Sequence, residues 1–122
     1  MARPYTIAVD VDGVLASYDH WRGYTYFGEP IAKVVDELKR LKKEIPDLKI
    51  IIHTARVTDK DTKELRPEAI AALEAWLDQN AISYDEIWIS PGKPACQEYI
   101  DDRAVRVDVN PYGTSKPLFK VR

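Results

Sequence analysis

The stretch Tyr5-Thr6-Ile7-Ala8-Val9-Asp10-Val11-Asp12-Gly13 decides how the rest of the chain is read. Its first five residues are apolar or β-branched, and the run stops abruptly at a carboxylate. A short run of this kind without polar alternation is expected of a parallel strand buried on both faces. Parallel strands need long crossovers, usually helical, and the sequence downstream has them. Ile31, Val34, Val35, Leu38, Leu41 and Ile45 recur at helical spacing, with Lys33, Lys39, Lys42 and Lys43 falling largely between them. Pro30 suits the first turn of that helix, and Pro46-Asp47 ends it. Leu48 to Ile52 forms a second strand that runs into His53-Thr54-Ala55-Arg56. Pro67 opens a second helix with Ile70, Leu73, Trp76 and Leu77 on one face, and Asn80 stops it.

Tyr84 to Ile89 contains a third short strand. A short helix or extended segment then leads to Tyr99-Ile100, which end at Asp101-Asp102. Val105, Val107 and Val109 alternate with Arg106 and Asp108, as in a last, edge strand. Strands alternating with helices predict an α/β domain with a parallel sheet and right-handed crossovers. Ser17 to Glu29, punctuated by Gly23 and Gly28, reads as a loop or short hairpin. The tail from Pro111 to Arg122 carries few signals.

Composition agrees with one globular domain. The chain has 122 residues, 45% of them hydrophobic and 31% charged. A chain of this length buries roughly two-thirds of its unfolded surface. No apolar run approaches the ~20 residues of a membrane span, and the N-terminus lacks the apolar core of a signal peptide. A cytoplasmic protein is the expectation. Eighteen Lys and Arg against 20 Asp and Glu leave a formal charge of −2, with no global basic bias to demand nucleic acid. The single Cys96 excludes an internal disulfide and a cysteine zinc cage.

In parallel α/β sheets ligands sit at the carboxyl ends of the strands. There the sequence places Asp10, Thr54 and Asp101-Asp102, with Lys93 in the loop approaching the last of them. Asp10 and Asp12 flank Val11, so an extended chain points both side chains one way. Two carboxylates that close repel each other unless a cation intervenes; a hard divalent ion with oxygen ligands, most simply Mg²⁺, relieves this. Asp101-Asp102 supply further oxygens. Asp-x-Asp-Gly alone reads equally well as a turn. Thr54 alone is an ordinary strand residue, and Lys93 alone a solvated loop cation. In combination they suit a phosphoryl group: Thr54 and Lys93 to hold phosphate oxygens, Asp10 to attack phosphorus, and Asp12 to shuttle the proton.

The segments DVDGVLA (10–16), IIHTAR (51–56) and GKPACQEYIDDRA (92–104) resemble the four motifs of the haloacid dehalogenase (HAD) superfamily, phosphatase branch. The likeness runs from Tyr5 to about Val109. It implies a Rossmann-like three-layer sandwich with a mostly parallel five-stranded sheet in the order 3-2-1-4-5. It implies Asp10 as nucleophile and Asp12 as general acid and base. It implies Mg²⁺ held by the Asp10 carboxylate, the Asp12 carbonyl and the Asp101-Asp102 pair, with Thr54 and Lys93 on the phosphate. About seventeen residues separate Asp12 from Pro30, room for the family's one-turn squiggle and β-hairpin flap (about 13–29) but for no cap domain. The chain thus reads as a single capless domain over 1–122, with a tail from about 111 to 122. So open a site suits a large substrate, or a second subunit of a homo-oligomer supplies the lid.

Tyr18, Trp21, Tyr24, Tyr26 and Phe27 crowd the flap. They stack on a base or sugar, Trp21 and Tyr24 foremost, or simply pack the hairpin. Arg56 can reach a second phosphate or a carboxylate bidentately, and HTAR followed by IDDRA also resembles the phosphatase domain of polynucleotide kinases. The expected activity is hydrolysis of a nucleotide or sugar phosphate. A nucleic-acid end phosphatase is the alternative, with Lys60, Lys63, Arg66 and Arg103 as a local basic patch. A receiver-like regulatory module is the alternative of another class. Receivers place the accepting Asp at the end of a middle strand, where this chain has His53-Thr54.

Overall fold

A computed structural model describes residues 4–107 and 117–121. Strand β1 (Thr6–Val9) leads through helix α1 (Ala32–Glu44) to β2 (Lys49–Ile52). A single 3₁₀ turn (Ala55–Val57) and helix α2 (Pro67–Gln79) lead to β3 (Glu86–Ile87), and an extended connection reaches β4 (Glu98–Ile100). The four strands form one parallel sheet in the order β3-β2-β1-β4. Among the described residues no helix is long and apolar enough to cross a membrane.

Register is what positions the site. Val9 pairs with Ile52 on one side and Ile100 on the other. The next residues, Asp10, His53 and Asp101, therefore leave the sheet at one level. The ladder closes there with His53 N–H donating to the Val9 carbonyl at 2.9 Å and Asp10 N–H to the Ile100 carbonyl at 3.0 Å.

The sheet's apolar side chains divide by the two-residue period of a strand. Ile7, Val9, Ile50 and Ile52 share one core cluster with Val34, Val35, Leu38 and Leu41 of α1 and Leu73 and Leu77 of α2. Ala8 and Ile51 are buried outside that cluster. Both helices thus cover the same face, as right-handed crossovers stepping in one direction across a sheet require. Truncating a core leucine such as Leu38 to alanine typically costs about 2–5 kcal/mol. Pro67 opens α2 at its first position and Asn80 caps its end, as expected.

Four local expectations change. Helix α1 begins at Ala32, two residues after Pro30. Ser17 N–H donates to the Glu29 carbonyl at 2.8 Å, and Ile31 N–H to the Leu15 carbonyl at 2.7 Å. This pairing around Pro30 holds it extended, and the helix starts only where the pairing ends. Residues 17–29 form a loop without paired strands rather than a β-hairpin flap; they are closed only at the base, by isolated bridges of Ala16 with Pro30 and with Asp12. Gly28 is required there, because a β carbon would lie 2.1 Å from the Ser17 carbonyl oxygen. The fifth strand is absent over 105–107, where Val105 and Val107 are 87% and 72% exposed; Asp108 and Val109 lie outside the described residues. Finally, residues 117–121 of the tail are docked. Phe119 is buried in the main core, and Glu98 and Glu37 accept hydrogen bonds from the backbone of this segment.

Candidate active site

Past β1 the chain makes a tight turn. The Val11 carbonyl accepts from the N–H groups of Val14, Leu15 and Ala16 at 3.2, 3.0 and 2.9 Å. Gly13 sits in the turn at φ +84°. A β carbon there would lie 2.3 Å from Asp102 Oδ2. Only glycine tolerates both the left-handed backbone and the close approach, so Gly13 is what lets the acids beyond β4 come against the β1 turn. Its place directly behind Asp-x-Asp is the one sign of this role in the sequence.

Carboxylate oxygens of Asp10, Asp101 and Asp102 all lie within 4.8 Å of one another. Asp10 accepts the Val11 amide at 2.8 Å through Oδ1. Burial, and then its neighbours Asp101, Asp12 and Asp102, push its carboxyl up to about 6 against the opposing pull of that amide. Asp101 Oδ1 accepts the Arg103 amide at 2.7 Å. The Asp12 carbonyl oxygen takes no hydrogen bond among the described residues. Three close carboxylates make a donor set of hard oxygens that could hold a divalent cation, and mutual repulsion is what a cation there would remove.

The Asp12 carboxylate goes elsewhere. Arg56 Nε donates to Asp12 Oδ2 at 2.8 Å and Arg56 Nη2 to Oδ1 at 2.9 Å, a bidentate pair. Arg56 Nη1 donates to the Gly23 carbonyl at 2.8 Å. The guanidinium lies 4.4 Å from the Phe27 ring centroid and 5.0 Å from that of Trp21. Arg56 is only 4% exposed. It therefore ties the β1 turn to the flap loop, and of the two bidentate partners open to it, a phosphate or a carboxylate, it holds the Asp12 carboxylate while still lining the cleft. Each Asp12 oxygen still keeps a second lone-pair direction.

Above the acids opens a cleft of about 510 Å³, which Asp10, Asp12, Thr54, Trp21, Tyr24, Asp101 and Asp102 all line. Thr54 is buried at the end of β2; its Oγ1 accepts the Arg56 amide at 3.3 Å and caps the 3₁₀ turn, which leaves its hydroxyl hydrogen free to donate. Trp21 and Tyr24 meet edge to face at 4.8 Å. The Arg66 guanidinium lies over Tyr24, 3.7 Å from the ring centroid, and Lys60, Arg66 and Arg103 complete the lining. Tyr18 and Thr58 line it too; the first stood out only as one of the flap aromatics, and the second gave no signal in the sequence.

Lys93 is the one expected site residue that does not line the cleft. It is exposed, with its ammonium 5.5 Å from the Tyr99 ring centroid. His53, beside the cleft, is held below its usual range first by burial and then by the Lys93 charge. Eight of the nine residues expected at the site thus converge, and one stands aside. No family model matches the chain, and neither a curated protein nor a solved structure matches it significantly.

Proposed function

We propose that the chain is a Mg²⁺-dependent phosphomonoesterase of HAD type that works through an aspartyl phosphate. The observation that carries this reading is the meeting of Asp10, Asp101 and Asp102 within 4.8 Å at the carboxyl edge of a parallel sheet. The observed order β3-β2-β1-β4 corresponds to the first four positions of the Rossmann-like order 3-2-1-4-5. A bound Mg²⁺ would neutralise the acids and polarise the phosphoryl group for an anionic attacker.

The chain's own residues supply the rest. The Asp10 oxygen not tied to the Val11 amide attacks phosphorus, the phosphorus–oxygen bond to the leaving alcohol breaks, and the alkoxide takes a proton that the Asp12 carboxylate has first taken up from solvent. Asp12 then accepts a proton from the water that cleaves the acyl phosphate, which restores both residues. Arg56 aims Asp12 toward the cleft. Thr54 donates to a phosphate oxygen. Lys93, parked on Tyr99, is left out of the immediate contacts. The substrate on this reading is a nucleotide or sugar phosphate, and the aromatics facing the cleft favour the nucleotide.

The test follows phosphate release from nucleoside monophosphates and p-nitrophenyl phosphate, with Mg²⁺ and with excess chelator. Asp12→Asn should slow turnover by about 10²–10⁴-fold and let a phosphate accumulate on Asp10, seen by acid-quenched mass spectrometry. Full activity in chelator, or a label on another residue, overturns the reading. A stable aspartyl phosphate in the unmodified protein would support a receiver-like switch instead.

A further inference from the structure

The cationic side chains of the cleft are not all spent at its acids. Arg56 pairs with Asp12, and a divalent cation would sit among Asp10, Asp101 and Asp102 on the phosphatase reading, on which this inference rests. Lys60, Arg66 and Arg103 remain. Arg66 shares its charge with Asp59, at 3.0 Å. Neither the Lys60 ammonium nor the Arg103 guanidinium has a side-chain partner among the described residues.

The wall that presents Lys60 is tied together by hydrogen bonds. Thr58 and Leu65 form a bridge, and the Asp59 amide donates to the Glu64 carbonyl at 2.8 Å. Asp59 Oδ1 accepts the amides of Asp61 and Thr62 at 2.8 and 3.0 Å, while Oδ2 holds Arg66. Arg66 in turn donates to the Tyr24 hydroxyl at 2.9 Å and covers one face of that ring. Arg56 sits behind Trp21 in the same way. Two half-exposed rings, each backed by a guanidinium, therefore stand in the cleft with two cations that have no side-chain partner among the described residues. Aromatic rings beside cations are how proteins grip a nucleotide by base and backbone together.

We propose that the cleft takes a nucleoside bearing two phosphates: one over Asp10, to be hydrolysed, and a second, retained, on Lys60 and Arg103, with the base against Trp21 and Tyr24. The second phosphate is either the free group of a nucleoside bisphosphate or the first diester of an oligonucleotide end. These sources share one chemistry at the rim.

Titration calorimetry on Asp10→Asn with Mg²⁺ separates binding from turnover. Adenosine 3′,5′-bisphosphate should bind about tenfold more tightly than either adenosine monophosphate, the worth of one charge-assisted contact. The advantage should fall to about twofold or less when Lys60→Gln and Arg103→Gln are added, and it should shrink with salt. A dinucleotide with a terminal phosphate forms the second arm. If it shows the larger advantage the source is a nucleic-acid end, and if the bisphosphate does, a soluble nucleotide. No advantage in either arm, or one that survives the Lys60 and Arg103 substitutions, overturns the proposal. Wild-type protein that binds with this preference yet releases no phosphate overturns the hydrolase reading and leaves the second-phosphate site standing. Hydrolysis of monophosphates with no such preference does the reverse.

Discussion

Glu98 stands at the start of β4 and Asp101-Asp102 just beyond its end, yet their surroundings are opposite. Glu98 is 6% exposed and accepts from the Tyr5 hydroxyl and from the Leu118 and Phe119 amides, at 2.8 and 3.1 Å for the two amides. Asp101 and Asp102 are exposed, lie against Asp10, and among the described residues their side chains receive one hydrogen bond, from the Arg103 amide. The β1 turn repeats the contrast within three residues. Each Asp12 oxygen is met by Arg56, whereas Asp10 has one amide and three like-charged neighbours. Carboxylates whose lone pairs are met by the protein hold structure together. Those left facing one another are competent to hold a cation. Counting donors, more than counting acids, separates the two kinds.

The largest effect should come from Asp10→Asn. It should lower phosphate release by at least ~10³-fold, the scale on which removal of a nucleophile acts, while the metal-free protein melts at a higher temperature because one repelling charge is gone. Activity within about tenfold of wild type would sink the nucleophile assignment.

Next, Arg56→Ala strips the partner from a largely buried carboxylate. Breaking a buried pair costs about 3–5 kcal/mol. Denaturant melts should show that loss, and Arg56→Lys should not restore it, since lysine cannot make the two-pronged contact. A cost within that of an exposed pair, under about 1 kcal/mol, would mean that the contact is incidental.

Mg²⁺ comes third. At 100 times its dissociation constant a ligand of the folded state adds about 2.7 kcal/mol. The resulting rise in melting temperature should shrink in Asp101→Asn or Asp102→Asn and persist in Glu98→Gln. A shift untouched by either aspartate substitution would erase the proposed difference between the two acid sets.

The smallest effects belong to the saturated acids that hold the tail. Glu98→Gln should cost about 1–3 kcal/mol for its lost charge-assisted bonds. Glu37 is held below the usual carboxylate range by Arg40, and further by the Lys120 amide at 2.9 Å. A carboxyl depressed in the folded state stabilises above its ordinary value, 4.5 here, and that contribution is lost as the pH falls below it. Urea melts from about pH 5 down to about pH 3 should show the loss, and Glu37→Gln should flatten it. An unchanged slope would remove Glu37 from the account.

Much of this molecule was legible in its residues. The apolar run of β1, the periodicity of both helices, Pro67 and Asn80 at the ends of α2, and the acids at the strand ends follow from local rules. Strand and helix periods, turn residues and caps act over a few positions, so a single sequence displays them. The strand register then carries Asp10 and Asp101 to one level with no further information.

What the tertiary structure decided is which polar group meets which. Arg56 lies 44 positions from Asp12, and the Lys120 amide 83 from Glu37. No local pattern announces either pair. From sequence Arg56 was as fit to hold a phosphate as a carboxylate, because its fork suits both; packing under Phe27 and Trp21 settled the matter. Lys93 had the right spacing, but a long side chain on an exposed loop goes where its surroundings are best, and here that is Tyr99. The tail looked featureless because one buried side chain, Phe119, and a few backbone amides suffice to dock it. Chain-local preferences set the elements and their order; the partners of charged groups depend on which donors arrive together in space, and only the packed chain determines that.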